Sequence, residues 1–352
     1  MFVGGDETVE KSPSIERLQQ GPLGEFSRHF SSPMNRFPSL PDNKIKDGRI
    51  GEVDIEGLSR DGDMLWVVGS HSLTRKQPQS GKEQEKNTKR LSTVEPISEN
   101  RLVLARIPLS KDADGITQLP DDQTTLPRAA RLKGANGEDA LREALLKDPH
   151  LGPFLQPFQT IFPDGAALKF PGIPSKDNGF DIEGLAVKQD RIFLGLRGPV
   201  LRGWATILEV GVTQAQPDEL RLRPLDSKGA LYRKHFINLN GLGVRDLCFD
   251  GDDLLILAGP TMQLDGPVAI DRWKQMLAAT SQGDTLTNHS KDGALQRLIY
   301  IPHGDGCDHA EGMAVLPRNA AGQTEVLILY DSPDPVRFVA ETGIKGDVFI
   351  LP

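Results

Sequence analysis

Hydrophobic positions along the chain fall in short paired runs, each pair split by a turn rich in Asp, Gly or Asn. Four such pairs are legible. The first runs Asp54-Ile55-Glu56-Gly57-Leu58, turns at Asp61-Gly62-Asp63, and returns through Leu65-Trp66-Val67-Val68 to Gly69-Ser70-His71. The second runs Asp181-Ile182-Glu183-Gly184-Leu185 and returns to Gly195-Leu196-Arg197-Gly198-Pro199. The third runs Val244-Arg245-Asp246-Leu247 and returns to Ala258-Gly259-Pro260; the fourth runs His309-Ala310-Glu311-Gly312-Met313 and returns to Tyr330-Asp331-Ser332. Runs this short, rich in Val, Ile, Leu and Phe and broken by Gly/Asp turns, predict β-hairpins. Further strands are predicted at 102–107, 206–212 and 297–301.

A hairpin unit recurring along a chain is a repeat architecture, and four-stranded blades set around a channel make use of it. The prediction is an all-β protein, a single β-propeller over residues 1–352. Five blades are legible and a sixth is compatible with the long interval between Glu56 and Glu183. That interval carries an insertion at about 111–177, with one short helix at 137–147: Leu141, Ala144 and Leu145 share a face and Pro149 follows. The segment through Phe154, Phe158 and Phe162 is expected to cover part of the propeller. The first blade reads as incomplete. Phe2-Val3-Gly4-Gly5-Asp6-Glu7 aligns with the second strand of a hairpin, and 14–18 with the next strand. A late start, a truncated product, or closure by a strand such as 348–351 are the readings of this.

Composition narrows the partners. The net charge of −8 gives no basic face for a phosphate backbone, so nucleic acid is not expected. The stretch 75–90 mixes Lys and Arg with Glu83, Glu85 and several Gln; it reads as a solvated loop, with a recognition loop as the sharper alternative. Two cysteines, Cys248 and Cys307, make neither a disulfide framework nor a zinc site, although one bridge between neighbouring repeats is conceivable. No apolar run reaches the length of a membrane span. The N-terminus lacks the charged and apolar regions of a signal peptide, which reads as cytoplasmic, or as secreted or periplasmic if the true N-terminus lies elsewhere. Gly 36 and Pro 26 suit a fold with many turns.

The hairpins also concentrate the candidate chemistry. Alternation puts Asp54 with Glu56, Asp181 with Glu183, and His309 with Glu311 on one face. In an antiparallel hairpin the start of the first strand meets the end of the second. Glu56, Glu183 and Glu311 should therefore share one channel rim with His71, Arg197, Asp331 and Glu7, while Arg245 stands where an acid would. Clustered carboxylates need a cation, an arginine or a shared proton. Oxygen ligands suit Ca2+, with Glu56, Glu183 and Glu311 as the metal candidates; Arg197 and Arg245 can instead neutralise the ring. A purely structural role for these glutamates, bonding backbone amides of the next blade, is a third reading. No G-x-S-x-G and no H-E-x-x-H occurs.

Taken in order, D-I-E-G-L with G-S-H-S, D-I-E-G-L-A with G-L-R-G-P, A-G-P, and H-A-E-G-M with Y-D-S resemble the bacterial family DUF3616 over nearly the whole chain. The E-G-L-A core is also similar to phytase-like esterase propellers and, more distantly, to calcium-dependent lactonase propellers. That likeness implies channel carboxylates holding calcium, matched here by Glu56, Glu183 and Glu311 and departed from at Arg245. Two functions follow. One is a binding propeller that takes a small polar ligand or a protein at the rim through Asp54, Asp181, Arg245 and His309. The other is a calcium-assisted hydrolase of esters, phosphoesters or lactones, with His71 as base, Arg197 orienting an anionic group and Asp331 beside them.

Overall fold

The computed structural model describes residues 1–5, 13–21, 24–34, 53–95, 97–120, 127–134, 139–290, 293–339 and 343–352. Asp6 and Glu7, predicted as part of the first blade's rim, and Gly137 and Glu138, predicted to begin the helix, lie outside the described residues.

The protein is all-β, in a propeller-like arrangement of five sheets that correspond to the five legible blades. Blade one is Phe2–Gly5, Ser14–Gln20 and Phe26–Pro33. Blade two is Ile55–Asp61, Met64–Gly69, Leu104–Pro108 and Ala130–Leu132. Blade three is Asp181–Lys188, Arg191–Gly198, Trp204–Gln216 and Tyr232–Asn238. Blade four is Gly243–Asp250, Asp253–Gly259, Val268–Trp273 and Leu295–Ile301. Blade five is His309–Val315, Glu325–Asp331 and Asp347–Ile350. Neighbours within each blade are antiparallel. The end of Trp204–Gln216 also pairs with Glu219–Arg223, which runs parallel to Ala130–Leu132 and so joins blades two and three.

Each predicted hairpin forms, because its apolar residues fill the space between blades rather than a single central core. Ile15, Val53, Leu65 and Ile107 pack between blades one and two, and Leu104, Ile182, Leu185 and Leu194 between two and three. Phe193, Val244, Leu247 and Trp273 fill the three–four joint, and Leu257, Ile270, Met313 and Ile328 the four–five joint. Each fully buried Leu or Ile stabilises by roughly 1.5–3 kcal/mol.

The insertion contains the predicted helix, shortened to Ala140–Leu145, with Leu141 and Leu145 buried against blades two and three and Asp139 capping the Leu141 amide. It holds no sixth blade among the described residues, and its strand Ala130–Leu132 belongs to blade two. Phe154 packs on the core, but Phe158 and Phe162 do not cover the propeller. They belong to a projecting hairpin, 48% and 45% exposed, where Phe158 stacks on Phe170. The stretch read as a solvated loop instead holds a helix, Gln84–Leu91, none of whose residues is buried, between the short paired strands Thr74–Arg75 and Val94–Glu95. Ion pairing of Lys86 with Glu83 and C-terminal Lys89 and Arg90 support that helix without any core contact. Asp347–Ile350 joins the second strand of blade five, so it does not close blade one. Cys248 and Cys307 are free thiols. No helix among the described residues is long and apolar enough to cross a membrane.

One detail fixes the channel. The inner strands of blades two to five each carry a register shift at the same place: Ile55/Gly57, Ile182/Gly184, Val244/Asp246 and Ala310/Gly312. The residue skipped is Glu56, Glu183, Arg245 or Glu311. After Glu56 and after Glu183 the following glycine lets the next inner strand approach. A Cβ on Gly57 would stand 2.6 Å from Leu185 Cβ, and one on Gly184 2.8 Å from Leu247 Cγ. On Gly312 the nearest atom would be Leu329 Cβ at 3.4 Å, in its own blade.

Gly184→Val should therefore destabilise the protein by about 1–3 kcal/mol through overpacking, whereas Gly312→Val should stay within about 0.5 kcal/mol of the parent. Urea unfolding midpoints of the two variants check this; equal losses would refute the packing difference.

Candidate functional site

The bulges decide where the rim side chains point. Strict alternation does not hold at a bulge, which re-aims the extra residue, and here it turns the three glutamates and Arg245 toward the channel mouth. Glu56, Glu183, Asp54, Asp181, Arg197 and Glu311 line one cavity of about 950 Å3, with Asp331 at its edge. Arg245 and His309 line an adjoining cavity of about 300 Å3 that shares Arg197, Glu311 and Asp331 with the first.

The acids are matched by arginines. Arg197 contacts both Asp181 and Glu183, the latter through Nη1 at 2.5 Å from Oε1. Arg245 Nε lies 3.1 Å from Glu183 Oε2, and its Nη2 donates to Glu311. Glu183 thus spends both oxygens on two guanidinium groups, and a chain of charges runs Asp181, Arg197, Glu183, Arg245, Glu311. Arg101, which the sequence reading did not single out, places Nη1 3.0 Å from Asp54 Oδ2 and 2.9 Å from Thr74 Oγ1. Its signal was weak: it sits on a short 3-10 turn, Glu99–Arg101, outside the repeated hairpin. Asp181, Glu183, Arg197 and Arg245 are all buried. Burial raises the Asp181 carboxyl to about 7, with Arg197 opposing the shift.

His71 does not join them. Its side chain is 1% exposed and lies behind the rim under the inserted helix, with Nδ1 2.9 Å from the Gly69 carbonyl and Nε2 3.6 Å from Asp139 Oδ2. His71 and Asp54 both have positive φ, 55° and 53°, outside the usual range for such residues; the turn this makes at His71 carries the ring away from the opening. His309 is at the rim but its Nε2 pairs with Asp265 Oδ1 at 3.1 Å. Asp331 is exposed and accepts from its neighbour Ser332.

The arm between Thr74 and Glu95 overhangs the same cavity. Arg75, Lys76, Gln77 and Arg90 line it from above, and Lys176 from the side. The arm is tied down: Arg75 Nε donates to Asp177 Oδ2 at 2.7 Å and Gln77 Nε2 to Gln263 Oε1 of blade four at 2.8 Å. The result is a space with a floor of ion-paired acids and a roof that carries Arg75, Lys76 and Arg90, with Arg75 paired to Asp177 and Lys76 to Glu95 at 3.2 Å. Calcium takes six to eight oxygens; the floor oxygens of Glu183 are turned to guanidinium nitrogens, and among the described residues no group of three or more His, Cys, Asp or Glu side chains is arranged to hold a metal ion.

Asp246 is a further residue the sequence offered and the reading passed over. It occupies the place of Gly57, Gly184 and Gly312, and its carboxylate accepts from the Leu247 amide and, across the joint, from the Met313 amide, each at 2.7 Å. Burial raises it to about 8.

A sequence model of the family described as "Protein of unknown function (DUF3616)" matches residues 1–347. No curated protein matches the chain. The expected likeness to phytase-like esterases finds no support in these matches.

Asp246 gives a pH test. Its folded pKa stands above that of an unfolded aspartate, so the folded state holds the proton more tightly. The stabilisation is complete below pH ~4 and is lost as pH rises through about 8. Asp246→Asn should flatten the fall in melting temperature between pH 5 and pH 9 (about the span of that loss), even if its absolute stability is lower for the lost Met313 bond. An unchanged slope in a pH series of thermal melts would count against the raised pKa.

Proposed function

The chain belongs to the DUF3616 family of proteins of unknown function, and from that premise we propose that its rim cavity binds a polyhydroxylated small molecule bearing an anionic group, such as a sugar acid or sugar phosphate. The observation that carries this reading is one cavity whose floor and roof both set charged donors beside carboxylate acceptors. The floor presents carboxylates and guanidinium groups side by side, which accept from and donate to neighbouring hydroxyls. The roof presents Arg90, and beside it Arg75 and Lys76 paired with Asp177 and Glu95, whose remaining N–H donors suit a carboxylate or phosphate. The floor is held by its internal ion pairs, so its donors and acceptors are set before a ligand arrives, and little ordering cost falls on binding.

Hydrolysis assisted by calcium is the other reading. It requires Arg197 and Arg245 to give up Glu183, and a base other than the buried His71. Binding without turnover therefore fits the rim better.

Calorimetry against neutral sugars, sugar acids and sugar phosphates tests the proposal. Anionic sugars should bind more tightly than neutral ones, and the double variant Arg75→Ala/Lys76→Ala should weaken the anionic ones by about tenfold, a loss of about 1.4 kcal/mol. The melting temperature should be the same in calcium and in chelator. A calcium-dependent rise in melting temperature together with hydrolysis of an ester or phosphoester would replace this reading with the hydrolase.

A further inference from the structure

The arm from Thr74 to Glu95 is fastened both to itself and to other blades. It leaves the second strand of blade two and returns to that blade's third strand. Its two legs are joined: Lys76 pairs with Glu95 at 3.2 Å, Arg75 Nη1 donates to the Leu91 carbonyl at 2.6 Å, and Arg90 Nε donates to the Gln77 carbonyl at 2.5 Å. Three bonds then tie it to other segments. The Ser175 amide donates to the Leu73 carbonyl at 2.9 Å, Arg75 Nε to Asp177 Oδ2 at 2.7 Å, and Gln77 Nε2 to Gln263 Oε1 at 2.8 Å. Ser175 and Asp177 lead into blade three, and Gln263 lies between the second and third strands of blade four. The arm is therefore a strap from blade two to blade four, with the ion-paired acids below it.

The space under the strap continues beyond it. The cavity of about 950 Å3 and the adjoining one of about 300 Å3 share Met262 and Gln263, where the strap is moored, as well as Lys176, Glu311 and Asp331. Among the described residues none of the arm borders the smaller cavity, which is lined mostly by blades four and five. Charged pairs run through both. Arg101 with Asp54 stands at one end, His309 with Asp265 at the other, and the chain of ion-paired acids lies between. A pocket of roughly 300–1,000 Å3 holds a drug-sized molecule. A single sugar acid is smaller than that and would leave much of this length empty.

We propose that the strapped site takes an acidic oligosaccharide by its end, with the terminal unit under the strap and the following units leaving through the smaller cavity. The inference rests on the anionic-sugar reading of the rim and specifies the form of that ligand. A loop closed by covalent chain and moorings lets an end slide beneath it. The middle of a long chain can enter only when the moorings open. Hydroxyl and carboxylate groups repeated along the ligand meet donor–acceptor pairs repeated along the floor, from Arg101 to His309.

Calorimetry on the full chain compares three probes: a monomeric uronic acid, a long oligouronate with free ends, and the same oligouronate carrying a bulky aromatic group at both ends. The free-ended oligomer should bind at least about tenfold more tightly than the monomer, and the end-blocked one at least about tenfold more weakly than the free-ended one. The variant Asp177→Ala/Gln263→Ala removes two moorings and keeps every cation of the arm. In it the end-blocked oligomer should bind within about threefold of the free-ended one. Equal binding of the free and blocked oligomers by the parent overturns the proposal, whether or not that variant folds. So does an oligomer bound no more tightly than the monomer, or a folded variant that still rejects blocked ends; in each case binding of the monomer leaves the rim reading standing. A parent that binds none of the three overturns the rim reading and this proposal with it.

Discussion

Burying the Glu183 carboxylate costs several kcal/mol unless cations meet its oxygens, and that requirement holds the rim together. Arg197 reaches it from the second strand of its own blade and Arg245 from the inner strand of the next. Arg245 then passes the constraint on to Glu311 in blade five, and Arg197 to Asp181. Removing one member leaves a buried charge exposed to its neighbours' repulsion, so the chain of pairs behaves as a unit and not as separate salt bridges. The repeated bulges sit at the same residue of each inner strand, so the acids and Arg245 are turned the same way and meet.

The same ion pairs shape what the site can do. Acids that are already neutralised offer hydrogen-bonding oxygens without demanding a metal, and arginines fixed by two carboxylates keep a set orientation for a ligand. The arm from Thr74 to Glu95 completes the enclosure. Its mixed charge suits an exposed helix, yet Arg75 and Gln77 anchor its base on two other segments.

Much of this was legible from residues alone. Hairpins with Val, Ile and Leu on both strands and Gly/Asp turns allow few alternatives, which is why all four repeated pairs were placed correctly. Convergence of Glu56, Glu183 and Glu311 followed from antiparallel geometry. The rest depended on distances that local pattern does not encode. The positive φ at His71 turns its ring under the inserted helix, and nothing in Ser70-His71-Ser72 signals that. The arm's helix has no buried face, so apolar periodicity gave no sign of it. The apolar type of Phe158 and Phe162 suggests a cover for the propeller, although both are largely exposed on their hairpin. Asp246 was readable in principle: an acid where the other repeats have Gly was the signal.

The packed joints also bear on how the fold comes apart. Apolar clusters tie blade three to blade two on one side and to blade four on the other. No part of blade three can leave without breaking one of these, and its inner strand is buried along nearly its whole length, so it is among the last parts to yield.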